Sequence, residues 1–375
     1  MASKNKNKRR DDSNMAHYPL VSVIIPVFNS AKYIPQTLES LLYQTMKNFE
    51  VVAVDDCSTD NSVEVVESFA EKFGGRLHVI KLKKNTGTPG LPRNVGIQFA
   101  RGKYICFLDS DDLFTKTALE ELSTLAEEYQ ADVVHVDGIF VLWGGKPKAD
   151  DDPAMTDMNE LLNKSNHTFW RPPTAPILQK PAFDSEELGK RIEKWLKFGY
   201  RWGVSSSFCR RDFLASNQIN FPEILAAEDM LFNFNGLCYA KKFLCVPNVT
   251  YIVRPRAGSI SREKQNFNPA KYLHKWTKVL IDGAEEFDKI MAQIDFFSKR
   301  PDYRYAVIDF FFKQTQRMIP MLYSKIPAFK LNDIVKKEFH AEDATFAAYL
   351  FNTVNVYQLQ IMKLRQELNA LKNAK

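Results

Sequence analysis

The chain has 375 residues, 45% hydrophobic and 26% charged, figures ordinary for a soluble protein with room for about two domains. No window approaches the ~18 uninterrupted apolar residues of a membrane span. Lys and Arg exceed Asp and Glu by 51 − 45 = 6, an excess too small and too dispersed to argue for nucleic acid. It suits acidic ligands or peripheral contact with an anionic membrane surface.

The opening MASKNKNKRRDDSN is polar and basic, without the apolar stretch of a signal peptide, so residues 1–18 read as a disordered tail. Five scattered cysteines, Cys57, Cys106, Cys209, Cys238 and Cys245, form no CxxC pair. Such a set fits a reducing, cytoplasmic compartment better than a disulfide framework. In that setting the acceptor-like triplets Asn163-Lys164-Ser165 and Asn166-His167-Thr168 are accidental matches to the glycosylation pattern.

Strand and helix signals alternate over the next stretch. Val21 to Ile25 is a β-branched run stopped by Pro26, and Ala31 to Gln44 carries apolar residues at helical spacing. Phe49 to Val54 is a second strand ending in Asp55-Asp56. Ser58-Thr59-Asp60 offers capping residues for a helix running to Phe73. Leu77 to Leu82 is a third strand, TGTPGLPRN a loop, and Val95 to Ala100 a helix. Tyr104 to Leu108, Thr117 to Tyr129 and Val133 to Phe140 follow as strand, helix and strand. This rhythm implies an α/β fold with a mainly parallel sheet flanked by helices.

Ligands of such sheets collect beyond the carboxyl ends of the strands. Three strands here finish in something unusual: Pro26-Val27-Phe28-Asn29, Asp55-Asp56, and Asp109-Ser110-Asp111-Asp112. Carboxylates packed this closely raise one another's pKa unless positive charge sits among them. A divalent cation, Mn²⁺ or Mg²⁺, answers that need through oxygen ligands and leaves positions open for substrate phosphates. Capping of the following turn is an equal role for Asp112.

Residues 144–190 are irregular and Pro-rich, and beyond Asn266 the chain reads as almost wholly helical. Leu350, Val354, Tyr357, Ile361, Leu364, Leu368 and Leu371 alternate spacings of four and three, the seam of a coiled coil through which the chain would self-associate. The expected division is a tail over 1–18, a catalytic domain over 19–265, a helical region over 266–345 and an oligomerisation helix over 346–375.

VSVIIPVFNSAKYIPQTLESLLYQTMKNFEVVAVDDCSTDNS and LPRNVGIQFARGKYICFLDSDDL, with AAEDMLFN and YIVRPRAGSISR further on, resemble family 2 glycosyltransferases of the GT-A fold, bacterial type. The resemblance implies an inverting, metal-dependent transferase acting on a nucleoside-diphosphate sugar, preferably a UDP-sugar. Its acceptor would be a saccharide or lipid-linked hydroxyl in surface-polysaccharide or glycan synthesis. Pro26, Val27 and Phe28 would line the base pocket, with Asp55 and Asp56 beside them and Asp56 accepting from the base. Arg93 and Asn94 match the RN pair near the nucleotide. Asp109 and Asp111 match the DxD motif, Asp111 as direct metal ligand and Asp109 towards the ribose. In the ED motif, Asp229 would be the general base, with Glu228 as the lesser candidate; its apolar surroundings supply the desolvation a base needs. Arg254, Arg256, Ser259 and Arg262 resemble a loop that folds over the diphosphate. The sequence Pro89-Gly90-Leu91-Pro92 departs from the small residues usual before the RN pair and implies a stiffer loop.

A dinucleotide-binding oxidoreductase would need GxGxxG after the first strand, where PVFNSAK stands. The remaining alternative is a non-catalytic, transferase-like scaffold assembled through its coiled coil.

Overall fold

In the computed structural model, residues 18–142, 167–254 and 269–316 are described, with isolated helical positions at 363, 366 and 367. The apolar runs near the start build four parallel strands: β1 (Val21–Val27), β2 (Phe49–Asp55), β3 (Leu77–Lys81) and β4 (Tyr104–Phe107), ordered β3-β2-β1-β4. Every residue of β1, β2 and β4 is buried, as expected of a sheet covered on both faces. Alternation then divides the side chains between two cores. Val21, Val23, Ile25 and Val27 pack with Ile34, Leu38 and Leu41 of α1 (Ile34–Leu42) and with Val66 and Phe73, on α2 (Ser62–Ser68) and α3 (Ala70–Phe73). Ile24, Val52 and Val54 face the other way, towards Val95 and Ile97 of α4 (Gly90–Phe99). Each such side chain contributes about 1.5–3 kcal/mol by leaving water. The approach of α4 to β1 depends on Gly96, where a Cβ would lie 2.3 Å from Ile24.

The chain continues through β5 (Leu113–Phe114), α5 (Ala118–Tyr129), β6 (Val133–Val136), β7 (Ile139–Leu142), β8 (His167–Trp170), β9 (Ala182–Phe183) and α6 (Leu188–Leu196). After these come β10 (Ser207–Arg210), α7 (Arg211–Ser216), α8 (Glu228–Tyr239), β11 (Phe243–Val246) and β12 (Tyr251–Val253). The helices α9 (Pro269–Ala292), α10 (Asp295–Lys299) and α11 (Pro301–Gln316) close the described part. Among the described residues the main sheet extends past β4 as β10-β6-β11-β9, with β10 antiparallel to both neighbours. A second sheet, β5-β12-β7-β8, stands beside it. The result is the expected α/β arrangement, a mainly parallel sheet with helices following it. No described helix is long and apolar enough to cross a membrane.

Several local expectations are corrected. Pro26 does not stop β1 but lies within it, opposite Val54. Pairing with β4 ends at Ile24, and Ile24 and Pro26 face the same side, so the missing N–H falls where β4 offers no partner. Arg93 and Asn94 lie inside α4 rather than in a loop, because Pro89 is its N-cap residue and Pro92 lies in its first turn, where a missing N–H is tolerated. The run Val133 to Phe140 breaks at Asp137-Gly138 into β6 and β7, which belong to different sheets. Asp60 makes no N-terminal cap of α2, which begins after Asn61; its carboxylate accepts from the Ser62 and Ala31 N–H groups instead. Residues 1–17 of the expected tail, the heptad seam over 350–371, Arg256, Ser259 and Arg262 lie outside the described residues, apart from single positions of the seam segment.

Candidate active site

Register determines which residues can meet. Val27 pairs with Asp55 and Ile24 with Phe107, so β1, β2 and β4 open on one edge with their polar endings side by side. The backbone there is unusual: Asn29 and Cys57, just beyond β1 and β2, and Ala227, just before α8, are non-glycine residues at φ of 46°, 61° and 71°. Each costs about 1 kcal/mol or more, and such conformations gather at functional sites. The neighbouring bonds hold them: Asn29 Oδ1 accepts from the Thr59 N–H at 2.8 Å and its own N–H donates to Ser58 Oγ at 3.0 Å.

Asp55 and Asp56 are both buried. Asp55 accepts from the Ser58 N–H, while Asp56 takes the Thr86 N–H and hydroxyl, each at 2.9 Å. Burial pushes the Asp56 carboxyl up despite those bonds. Pro26 and Val27 are buried within β1, whereas Phe28 is 44% exposed at the strand's end.

The loop after β4 is held from two sides. Ser110 Oγ meets Ser30 Oγ at 2.6 Å, and its carbonyl accepts from Thr37 Oγ1 at 3.0 Å. From below, the Tyr251 hydroxyl donates to Asp112 at 2.9 Å and accepts from the Asp109 N–H at 3.1 Å. Burial first, then Asp111 and Asp109, push Asp112 well up. Arg254 donates its N–H to Asp112 and uses its guanidinium on the Asp111 carbonyl, Gln36, Thr37 and the Tyr33 carbonyl. Burial draws the Arg254 pKa down to about 10. This arginine therefore locks the loop to α1.

Arg93 is the centre of the constellation. Its Nη2 donates to Asp109 at 2.7 Å, and its Nη1 to Asp229 at 2.7 Å and Glu228 at 3.2 Å. One arginine thus joins the acids after β4 to the acids opening α8. Burial would lower its pKa, but Asp229, Asp109 and Glu228 outweigh it and hold the guanidinium charged. The remaining oxygen of Asp229 accepts from the Val204 N–H at 3.2 Å. The Asp229 carboxyl is raised by burial and by Asp109, against the pull of Arg93. Burial and Asp229 raise Glu228 to about 7. Glu228 is the more enclosed of the two, at 10% side-chain exposure against 29% for Asp229.

Asn94 points away from these acids. Its Nδ2 donates to the Phe221 carbonyl and its Oδ1 accepts the Phe221 N–H, both at 2.8 Å. It brackets α4 to the segment before α8. Sequence reasoning gave no role to Tyr251, Arg201 or Asn233; the Asn233 Nδ2 donates to the carbonyls of Trp202 and Gly203 and fastens the segment 201–206 to α8. Asn233 and Tyr251 lie within the AAEDMLFN and YIVRPRAGSISR stretches, but the motifs themselves assign them no contact.

Comparison with known proteins agrees with this architecture. Residues 22–183 match the family model Glycosyl transferase family 2. The poly(ribitol-phosphate) beta-N-acetylglucosaminyltransferase TarS of Staphylococcus aureus strain Mu50 is 39% identical over 233 residues, 61% of this chain and 34% of that protein. A poly(ribitol-phosphate) beta-glucosyltransferase of Bacillus spizizenii is 31% identical over 225 residues, 59% of this chain and 30% of that protein. The chain thus spans about a third of the length of these curated relatives. The crystal structure of S. aureus TarS 1-349 with UDP-GlcNAc aligns with a TM-score of 0.58 at 24% identity, covering 84% of this chain and 80% of that one, a likeness of fold. Residues 22–183 are thus similar to glycosyl transferase family 2, and the fold is that of the TarS structure.

Proposed function

We propose that the chain is an inverting glycosyltransferase that moves a sugar from a UDP-sugar to a hydroxyl of a phosphate-bearing polyol or saccharide chain. The observation that carries this reading is the Arg93 bridge, which sets the acids at the β4 end beside those opening α8. The relatives named for poly(ribitol-phosphate) transfer support the acceptor class, and their N-acetylglucosaminyl and glucosyl names support a nucleotide-sugar donor.

In this reading Phe28 offers its exposed ring to the base, with Pro26 and Val27 behind it. Asp55 and Asp56 shape the adjoining loops, and Asp109 reaches the ribose side. Asp111 with Asp109 fits a hard divalent cation: both donors are carboxylates on one loop, and Asp109 is 37% exposed. Among the described residues no group of three or more His, Cys, Asp or Glu forms a complete cage. Mn²⁺ and Mg²⁺ are commonly held in that way, by one or two carboxylates with substrate phosphates completing the shell. When bound, the cation neutralises charge growing on the diphosphate leaving group.

Asp229 removes the proton from the acceptor hydroxyl as its oxygen attacks the anomeric carbon, and the nucleoside diphosphate departs from the opposite face. Arg93 and the Val204 N–H hold one carboxylate oxygen each, which fixes the base in direction. Burial keeps its proton affinity high enough to accept. Arg254 keeps the loop after β4 in register with α1 and so steadies the diphosphate end of the site.

The test is calorimetric binding of UDP, GDP, dTDP and CDP with and without Mn²⁺, followed by turnover. UDP should bind in a metal-dependent way that Asp111→Ala abolishes. Asp229→Asn should keep UDP binding and lower transfer by about 10²–10⁴. A folded protein that binds none of the nucleotides would leave only the scaffold alternative.

A further inference from the structure

We propose that Arg201 and Trp170 form the subsite that receives a phosphate of the acceptor chain beside the hydroxyl being glycosylated. The proposal rests on the transferase reading and adds to it the residues that select an anionic acceptor. Arg201 is only 8% exposed, yet two of its donors have no partner. Its Nη2 donates to Ser205 Oγ at 3.1 Å, but Nε and Nη1 meet no acceptor among the described residues. Burial draws its pKa down to about 10, against a weak opposing pull from Tyr251 and Asp112. Native proteins satisfy nearly all buried donors, so the unpartnered Nε and Nη1 ask for an acceptor, which a ligand can bring. The guanidinium fork matches a phosphate in shape and charge.

Trp170 supplies the second, independent observation. It lies on β8, the edge strand of the second sheet, and stays 43% exposed while its ring covers the Arg201 guanidinium at 5.5 Å. An exposed indole against a buried cation presents an apolar face for the C–H surface of a polyol or sugar, next to a charge for its phosphate. The distance to the chemistry is short along the chain. Three residues after Arg201, Val204 gives its N–H to Asp229, and Asn233 of α8 ties the intervening carbonyls in place. A chain seated on Trp170 and Arg201 therefore runs towards the base, while the donor diphosphate belongs to the acids at the β4 end.

The experiment measures binding of poly(ribitol phosphate), and of ribitol as the uncharged control, to the full chain, with UDP binding and thermal midpoint recorded for every variant. Wild type should bind the polymer, in a salt-sensitive way, and ignore ribitol. Trp170→Ala and Arg201→Gln should each weaken polymer binding about tenfold or more, leaving UDP affinity within about twofold. Arg201→Lys should recover part of the loss. Because Trp170 is exposed, its variant keeps the test alive if Arg201→Gln fails to fold. Polymer binding unchanged in folded Trp170→Ala and Arg201→Lys overturns the proposal. So does a loss of UDP affinity in the Arg201 variants, which would assign the arginine to the donor diphosphate. Failure of wild type to bind UDP strikes the transferase reading instead, since polymer binding is read separately.

Discussion

Two buried arginines flank the candidate base, and their surroundings are opposite. Arg93 belongs to the parallel half of the sheet and meets Asp109, Glu228 and Asp229. Arg201 precedes the antiparallel strand β10 and bonds through its side chain only to a serine hydroxyl among the described residues. Burial opposes charge at both positions, yet only at Arg93 do carboxylates overcome it. On the proposed donor side the guanidinium thus meets its own counter-charges, although Arg93 Nε, like Arg201 Nε, bonds to no acceptor among the described residues. On the proposed acceptor side the Arg201 guanidinium forms no ion pair among the described residues and feels only a weaker pull from Tyr251 and Asp112, which suits selection of an anionic acceptor.

The strongest way to break this comparison is to remove the charge that balances the donor side. Arg93→Met leaves three carboxylates facing one another and should lower stability by about 3 kcal/mol, the low end for a broken buried pair. The reduction follows from Asp109 and Asp229 being 37% and 29% exposed, so that water takes up part of the repulsion. Adding Asp109→Asn to that variant should restore part of the denaturant midpoint. An Arg93→Met protein as stable as wild type would remove the neutralisation argument.

A change of pH sharpens the same contrast more gently. The Glu228 carboxyl is raised from its ordinary 4.5 to about 7 by burial and by Asp229. A group that binds its proton more tightly when folded favours the fold fully below pH 4.5 and loses that contribution as pH rises through about 7. Glu228→Gln should therefore gain stability relative to wild type between pH 5 and pH 8, read from denaturant midpoints. It should also move the rising limb of the transfer rate to lower pH, because one negative charge facing Asp229 is gone. Parallel pH curves for the two proteins would show that the pair does not titrate as described.

The smallest effect concerns the joint between the two halves. Asn94→Ala removes both bonds to Phe221 and should cost about 1–2 kcal/mol of stability, with UDP affinity unchanged. A tenfold fall in UDP affinity with the midpoint unmoved would instead make Asn94 a nucleotide contact, as the family resemblance implies.

The chain read alone determined the parallel strands, the edge on which their endings converge, and the acids Asp109 and Asp111 at that edge, while Glu228 and Asp229 were marked by the family resemblance. Those features are written in contiguous residues, as alternation, β-branched runs and charge placed after them. Tertiary structure alone decided that Arg93 reaches Asp229, 136 positions away, and that Arg254 turns its guanidinium onto Tyr33 and Gln36, 221 and 218 positions distant. It alone set β10 antiparallel between β4 and β6, which brings the segment 201–206 against the base. Periodicity is a property of neighbours along the chain, whereas an ion pair or an orphaned donor depends on which distant segments the folded sheet brings together.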